Sequence, residues 1–460
     1  MKRITLPLFL LFLTVSFGQE QDYFLNLELS SAFSTSDSLS FWQTSEQYGG
    51  IPDQNYGMVK IDLGKEFKYQ SKWDWGFGAE GSAYTGMNQK AFMNQYFVKG
   101  RYKGWILQVG AENIEEKYNG LSSSNGNIVF STNARALPGI MLRTDDFLQV
   151  FKNSPNFEAK AWYGEFLLND PRSTEGARLH QAGFELKFAA KQKTSFVIGM
   201  HDYAQWGGVS PRYGDMNYGV EEYLRMVMML PGGSEASESD QLNVSGNHVG
   251  QYSLRIEHKG DKLNWTGYIS HIFEDGSGMG FQNWPDNLYG VYVNFKKSEA
   301  IVESLNYEIT YTGNMSGSYD GENGGGRDNY FNNGAYFSGW SYYGKSIGTP
   351  YMLFDIDENG ESQGVKYGYN RLFATNIGLN GTMFNKLPYQ FKGSYVNYLG
   401  WIGDEFEVRP YNLSLLFETN LNNILIVDHL NLSLGLSSDL GTVYKSNFGG
   451  YFKLRYKLFH

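Results

Sequence analysis

Alternation of apolar and polar residues constrains the fold of this chain more than any other feature. Residues 73–80 read WDWGFGAE, and residues 452–458 place Phe, Leu, Tyr and Leu at every second position. A period of two puts successive side chains on opposite faces of a β-strand. Such segments run close to the ~9–11 residues that cross a bilayer at a tilt. The pattern predicts eighteen strands, which start near residues 23, 57, 73, 93, 105, 138, 157, 181, 194, 251, 263, 288, 304, 370, 389, 409, 428 and 448.

The connections between these segments fall into two alternating classes of length. Those after even-numbered segments are all short, at about 66–72, 103–104, 151–156, 191–193, 259–262, 297–303, 383–388 and 420–427. Those after odd-numbered segments include the long stretches 113–137, 168–180, 202–250, 273–287 and 314–369. Outer-membrane barrels have short periplasmic turns and long external loops, whereas a soluble propeller or sandwich does not sort its loops this way. We therefore predict an all-β fold, a closed antiparallel transmembrane barrel of about 18 strands.

Composition agrees with strands that have one apolar face and enclose a polar interior. Aromatic residues make up 17% of the chain and glycine supplies 55 residues, yet hydrophobic residues reach only 41%. Cysteine is absent, which excludes a disulfide scaffold and a thiolate metal site. A net charge of −10 offers no basic footprint for nucleic acid, so no nucleic-acid partner is expected.

Residues 1–18 are predicted to be a signal peptide. Lys2 and Arg3 precede an apolar run that is too short to span a bilayer, and Gly18 supplies a small residue for cleavage. We expect export to the outer membrane of a Gram-negative bacterium. Residues 19–460 are expected to form a single barrel domain, and the protein is expected to be a monomer. The long loops near 113–137, 202–250 and 314–369 belong to this domain. The expected partners include outer-membrane lipid and the barrel assembly machinery.

Two segments interrupt the strand pattern. Residues 220–230 (VEEYLRMVMML) predict a short helix with Glu221 and Glu222 in its first turn, where the helix dipole favours acids. Residues 38–54 are predicted to be helical in part, around Phe41 and Trp42. Such helices would plug the lumen or pack on a rim. Surface helices in the loops are an equally open alternative.

Three interior segments resemble the capsule assembly protein family called Wzi. They are residues 121–138 (LSSSNGNIVFSTNARALP), residues 201–208 (HDYAQWGG) and residues 328–350, which begin DNYFNNG and end IGTP. The resemblance implies an 18-stranded outer-membrane barrel, plugged by helices, that holds capsular polysaccharide at the cell surface. It carries over no catalytic residues.

The long connections also carry residues suited to glycan contact. Tyr and Trp rings can stack on apolar sugar faces, while amide and guanidinium groups bond sugar hydroxyls. The alternative is that the aromatic residues form the interfacial girdle of a barrel and that the Asn residues belong to turns. The candidate contacts are Arg135, Trp206, Tyr213, Trp284, Arg327, Asn329, Tyr330, Asn332, Trp340 and Tyr342.

The charge of the long loops restricts the charge of the ligand that we expect. Residues 314–369 carry seven acids against three bases, so these loops favour a neutral or weakly charged glycan. The stretch 355–360 (DIDENG) resembles the opening of a calcium loop, but Lys366 stands where a bidentate Glu is required. We therefore predict neither a metal site nor a cofactor.

Catalysis finds little support among the seven histidines. The chain contains no HExxH motif and no GxSxG elbow. The predicted function is a non-enzymatic, lectin-like outer-membrane protein that binds capsular polysaccharide or exopolysaccharide and helps to assemble or retain it on the surface. A substrate-selective porin is the alternative. A barrel-wall hydrolase that uses His258 or His271 is a weaker one.

Overall fold

Eighteen antiparallel strands close into a barrel in the computed structural model, which describes residues 23–87, 89–191, 193–216, 219–234, 244–317, 328–356, 362–422 and 429–459. The predicted signal peptide, Arg327 and residues 357–360 of the acidic stretch lie outside the described residues. The strands are β1 (Tyr23–Ser34), β2 (Tyr56–Lys65), β3 (Trp73–Gly86), β4 (Lys90–Tyr102), β5 (Trp105–Ala111), β6 (Gly139–Thr144, continued by Leu148–Phe151), β7 (Ser154–Leu167), β8 (Arg178–Lys191), β9 (Thr194–Trp206), β10 (Asn247–Lys259), β11 (Leu263–Phe273), β12 (Asn287–Phe295), β13 (Ser304–Tyr311), β14 (Leu372–Met383), β15 (Leu387–Tyr398), β16 (Tyr411–Asn420), β17 (Leu430–Gly441) and β18 (Asn447–Phe459).

The first and last strands pair and close the sheet. Their ladder runs from Leu25 opposite Phe459 to Ser34 opposite Gly449. Closure removes the free edges, whose backbone groups could find no hydrogen-bond partner in hydrocarbon. Each predicted strand start lies within four residues of the observed one, so the prediction of an 18-stranded barrel is confirmed.

The barrel wall is apolar outside and polar inside. In β1, Leu29 and Phe33 are 42% and 54% exposed, whereas the alternate residues Asn26, Glu28 and Ser30 are buried. A soluble sheet would bury the apolar face and expose the polar one. An exposed apolar face suits contact with lipid, and the buried polar face lines the lumen.

The long connections lie at one end of the barrel, as predicted. They are residues 35–55, 112–138, 207–246 and 312–371, and all follow odd-numbered strands. The short turns lie at the other end, together with the start of β1 and the end of β18. Loop length therefore identifies the long-loop end as extracellular and the short-turn end as periplasmic.

Short hairpins and helices form within the connections. The two predicted helices are α1 (Phe41–Thr44) and α2 (Val220–Val227), each shorter than expected, and α3 (Gly276–Met279) and a 3-10 turn at Tyr118–Gly120 were not predicted. None of the helices among the described residues has the length and apolarity to cross a membrane. The hairpins pair Val209–Ser210 with Gly214–Asp215, Ser341–Tyr342 with Lys345–Ser346, Leu353–Ile356 with Ser362–Tyr369, and Gly400–Trp401 with Asp404–Glu405.

The two predicted helices lie on opposite sides of the wall. Helix α1 is buried in the lumen, where the Phe41 N–H donates to Asp439 of β17 at 2.9 Å. Helix α2 lies outside, because its Tyr223 contacts Tyr163 and Trp206, which share the lipid-facing side of β7 and β9. Val220 of α2 is 76% exposed. One helix therefore helps to plug the lumen, and the other packs on the outer rim.

Candidate functional site: the plugged lumen and the outer mouth

The loop 112–138 enters the lumen and is anchored on a buried carboxylate of the wall. Glu308 of β13 accepts hydrogen bonds from Ser122 Oγ (2.6 Å), Ser123 N (2.7 Å) and Ser123 Oγ (2.6 Å). Tyr268 of β11 donates to the same carboxyl group at 2.6 Å. Glu308 is 1% exposed, so these donors replace the water that it would otherwise bind. The serine run of the loop is therefore fixed against the wall.

A second carboxyl group joins this loop to the loop 35–55. Glu46 Oε1 lies 2.9 Å from Ser131 Oγ, and Glu46 Oε2 accepts from the hydroxyl of Thr132. Burial raises the pKa of Glu46 to about 7, although the hydroxyl donors oppose this shift. The Ser131 hydroxyl also lies 2.8 Å from the Gly348 carbonyl and has only one proton to donate. A protonated Glu46 resolves this conflict, because it donates to Ser131 while Ser131 donates to Gly348.

The loop 312–371 packs over the loop 112–138 and completes the plug. Trp340 is fully buried, and its indole N–H donates to the Val129 carbonyl at 2.7 Å. Ile128, Val129 and Phe331 are also fully buried and belong to the same apolar cluster. Packed apolar side chains of this kind leave little room for water. The described parts of these loops therefore pack together inside the lumen at its extracellular end.

Three of the predicted glycan contacts belong to this packed core. Tyr330, Trp340 and Tyr342 are at most 3% exposed. The Tyr330 hydroxyl lies 2.8 Å from Asp286, and the Tyr342 hydroxyl donates to Asn169. Burial leaves none of the three rings a free face, so the structure corrects their assignment from surface contacts to plug residues.

Asn329 and Asn332, the two asparagines predicted as glycan contacts, form hydrogen bonds within the loop 312–371. Asn332 Nδ2 donates to Asn329 Oδ1 at 2.8 Å, and Asn332 Oδ1 accepts from the Tyr367 N–H at 2.7 Å. Asn370 donates to the same Asn329 oxygen at 2.8 Å. These bonds lie within the loop 312–371, close to the start of β14, and give both residues a local structural role.

Two predicted tryptophans lie on the outer wall and not at the mouth. Trp206 is the last residue of β9 and faces the same side as the lipid-facing Ile198, with its indole N–H 3.1 Å from Glu165. Trp284 is 49% exposed and packs near Phe281 and Tyr289. Both positions suit an interfacial aromatic girdle, the alternative left open from the sequence, and the glycan contact of these two residues stays a prediction.

Arg135 and Tyr213 are the remaining predicted contacts that the structure describes. Tyr213 is half-buried beside the guanidinium of Arg212, which lies 5.2 Å from its ring. Arg135 lies between the rings of Phe92 and Tyr343, at 3.9 and 4.7 Å, and donates to the Gly49 carbonyl at 3.1 Å. Burial lowers the pKa of Arg135 from its usual value, against the effect of Tyr343.

Arg135 forms part of a cluster at the extracellular end, which we call the outer-mouth patch: Lys90, Arg135, Tyr343 and Lys345. Tyr343 is 37% exposed, and Lys90 Nζ lies 6.0 Å from its ring. Lys345 pairs with Asp53 of the loop 35–55 at 2.5 Å. Lys90 and Lys345 are not among the contacts predicted from the sequence. The patch combines an exposed ring with cations, which is chemistry suited to a polyhydroxylated or acidic ligand.

Below the plug, a cavity of about 620 Å³ lies inside the barrel. Its lining begins at Glu66, Phe67 and Tyr69 in a periplasmic turn and ends at Arg135 under the outer mouth. Charged side chains of the wall and of the loop 112–138 line it. The volume falls within the ~300–1,000 Å³ of small-molecule sites.

Among the described contacts, His201, His258 and His271 do not form the serine–histidine–carboxylate arrangement of a hydrolase. His258 Nδ1 lies 2.9 Å from Thr194 Oγ1, and the His271 nitrogens contact Asn287 and the Gly278 carbonyl. His201 Nε2 lies 3.5 Å from Ser253 Oγ but is also 3.3 Å from Glu185. A catalytic base needs one ring nitrogen for the nucleophile and the other for the orienting carboxylate. In His201 both partners meet the same nitrogen.

Solved structures similar to this chain are outer-membrane barrels. One is Wzi, an outer membrane protein involved in group 1 capsule assembly in Escherichia coli and described as a carbohydrate-binding β-barrel. It is 13% identical, with a TM-score of 0.58 over 93% of this chain and 83% of that chain. Another is OccK3 (OpdO) of Pseudomonas aeruginosa, which is 11% identical, with a TM-score of 0.50 over 95% of this chain and 96% of that chain.

No family model and no curated protein matches the sequence. At these identities the structural likenesses establish the fold. The closed sheet, the apolar outer face, the sorted loops and these neighbours lead to one conclusion: the chain is an outer-membrane β-barrel of eighteen strands.

Proposed function

We propose that this protein is a plugged, non-enzymatic barrel that binds polysaccharide at the cell surface and helps to retain it there. The observation that carries the proposal is the set of loops packed into the extracellular end of the lumen, where Glu308 and Trp340 anchor them. A barrel closed in this way presents its loops as a surface. The carbohydrate-binding description of the similar Wzi structure and the three sequence segments support a glycan as the ligand.

The outer-mouth patch is the proposed contact site. Tyr343 supplies the exposed ring, while Lys90 and Lys345 offer donors to sugar oxygens. A groove lined by Pro52, Asp53, Asn55 and Tyr84, among others, lies on the same rim and adds further polar groups. Of the contacts predicted from the sequence, Arg135 is the one that this patch retains.

Retention of the producing cell's own surface polysaccharide by the detergent-folded protein tests the proposal. We expect binding that survives high salt in part, because ring stacking does not depend on ionic strength. Replacing Tyr343 with Ala should weaken retention by roughly fivefold to tenfold, on the basis of ~1 kcal/mol or more for an aromatic contact. Phe384→Ala is the matched control, because Phe384 is an exposed aromatic residue at the periplasmic end. Equal retention by both variants would remove the patch from the proposal, and no retention by the unmodified protein would reject it.

A substrate-selective channel is the second candidate, and the lumen cavity is the observation that favours it. Arg135 lines the cavity, and its guanidinium lies 4.7 Å from the ring of the exposed Tyr343. If this contact is a gate, Arg135→Ala should give steady current steps in planar bilayers and allow small solutes to pass. A silent Arg135→Ala variant would leave the surface-binding function as the better account.

A further inference from the structure

Strand β9 carries an acidic residue on its outward face, below the extracellular rim. The outward apolar positions at residues 196–200 are followed by Asp202, whose carboxylate lies 2.9 Å from His248 Nδ1 of β10. The apolar run is about 13 Å long at ~3.3 Å per residue, against the ~25 Å apolar band of such barrels. On β18, by contrast, apolar residues recur on the outward face across residues 448–458. The wall around β9 is therefore short of apolar surface on its extracellular side.

A second carboxyl group faces outward on β7. Glu165 lies two positions beyond Tyr163, which is 41% exposed on the lipid-facing side, and Glu165 Oε1 is 2.6 Å from His180 Nδ1 of β8. Asp202, His180 and His248 are nevertheless buried. Polar groups that face hydrocarbon without cover are costly, so a segment outside the wall has to shield them.

The connection that carries α2 supplies this cover. The Tyr223 hydroxyl of α2 donates to Glu165 at 2.7 Å, which places the helix over the first polar pair. The Ser245 carbonyl lies 3.0 Å from His248 Nε2, over the second pair. The Ser245 N–H donates to the Leu230 carbonyl at 3.0 Å and ties the end of the helical segment to the same place. The connection 207–246 is thus docked on the outside of the wall at both polar pairs.

Helix α2 has an apolar stripe that nothing in the described chain covers. Val220, Leu224 and Met228 recur every four residues on one side of the helix and are 76%, 47% and 58% exposed. Met226 lies on the side that is buried against the wall. The ion pair of Glu221 with Arg225, at 3.0 Å, forms the third side. A helix with one buried, one apolar and one charged side is typical of a membrane interface.

A second external segment repeats this arrangement two strands away. His271 faces outward on β11 and is 2% exposed. The ring of Phe281, in the connection after β11, lies 4.5 Å from the His271 ring, and Phe281 is itself 48% exposed. On this side of the barrel, outward polar groups are therefore covered by segments that present apolar residues in their place.

We propose that α2 is a lipid-binding collar, whose stripe of Val220, Leu224 and Met228 inserts among the acyl chains of the extracellular leaflet. The stripe is continuous with the lipid-facing wall, because the helix sits directly on Tyr163 and Trp206. It adds apolar surface at the level where Asp202 interrupts the wall. The Glu221–Arg225 side then faces the headgroups and water. This surface is distinct from the outer-mouth patch and does not depend on polysaccharide binding.

Site-directed spin labelling of the full chain, refolded into phosphatidylethanolamine–phosphatidylglycerol vesicles, tests the collar. The chain has no cysteine, so one introduced cysteine gives one labelled position. Labels on Leu224→Cys and Met228→Cys should collide more often with oxygen, which concentrates in lipid, than with a water-soluble nickel chelate. A label on Glu221→Cys, on the charged side of the same helix, should show the opposite preference, and a label on Ile198→Cys marks the lipid-facing wall. A preference for the nickel chelate at Leu224 and Met228 would overturn the proposal, as would protection of both positions from both reagents, which would indicate a protein partner.

Hydrogen exchange of residues 220–228 in the same vesicles provides a second measurement that needs no label. Replacing Leu224 and Met228 together with Gln should accelerate this exchange at least ~10-fold, since burial of even one such side chain is worth about that factor. Val408→Gln is the matched control, because Val408 is 82% exposed in the connection between β15 and β16, on another part of the barrel. Equal exchange in the double variant, the control and the unmodified protein would contradict insertion of the stripe into lipid.

Discussion

Replacing Ser122 and Ser123 with Ala should detach the loop 112–138 from the barrel wall. The two hydroxyls donate to Glu308 at 2.6 Å each, inside a site where the carboxyl group is 1% exposed. A hydrogen bond to a carboxylate is worth about 1.5–3 kcal/mol, so the double change should lower the free energy of loop docking by about 3–6 kcal/mol. Every 1.4 kcal/mol is about tenfold, so the docked state should open at least ~100-fold more often.

Hydrogen exchange of residues 121–134, followed by mass spectrometry, measures this opening. The exchange of the loop amides should accelerate by at least ~100-fold, while the strand amides of β13 keep their protection. Ser36→Ala with Ser38→Ala is the matched control, because these serines lie in an accessible part of the loop 35–55 and should have little effect. Unchanged protection of the loop in a correctly folded Ser122/Ser123 variant would refute the anchoring role of Glu308.

Three further predictions concern the plug and the wall. Burial raises the pKa of Glu46 to about 7, so the protonated carboxyl group stabilises loop docking fully below about pH 4.5, and this stabilisation is lost as the pH rises through about 7. Glu46→Gln should remove this dependence of loop exchange on pH. Trp340→Ala should cost the plug about 3–5 kcal/mol and speed exchange around Val129, while the barrel keeps its resistance to unfolding in detergent on gels. Trp284→Ala should leave polysaccharide retention unchanged, because Trp284 lies on the outer wall; a loss of retention equal to that of Tyr343→Ala would contradict this placement.

Local sequence was sufficient to predict the wall but not the plug. Alternation in β1 and β18 depends on neighbouring residues, so the strand starts could be read within a few positions. The bond from Ser122 to Glu308 joins residues 186 positions apart, and nothing near either residue indicates its partner. The run of three serines at 122–124 was the one signal that this loop segment makes polar contacts in a buried place.

Trp206 shows how a boundary error moved a residue to the wrong side. The prediction began the long connection at residue 202, whereas β9 continues to Trp206. Because side chains alternate, extending the strand places Trp206 on the face of Phe196 and Ile198, which is the outer one. The amphipathic pattern of α2 predicts a helix but cannot indicate which side of the wall it covers.

Single-channel recording of the unmodified protein in planar bilayers tests most directly whether the described loops close the lumen. A lumen closed by these loops should leave the bilayer nearly silent, with brief openings only after the Ser122/Ser123 change. Steady open steps from the unmodified protein would contradict the plug and would transfer the function from surface binding to transport.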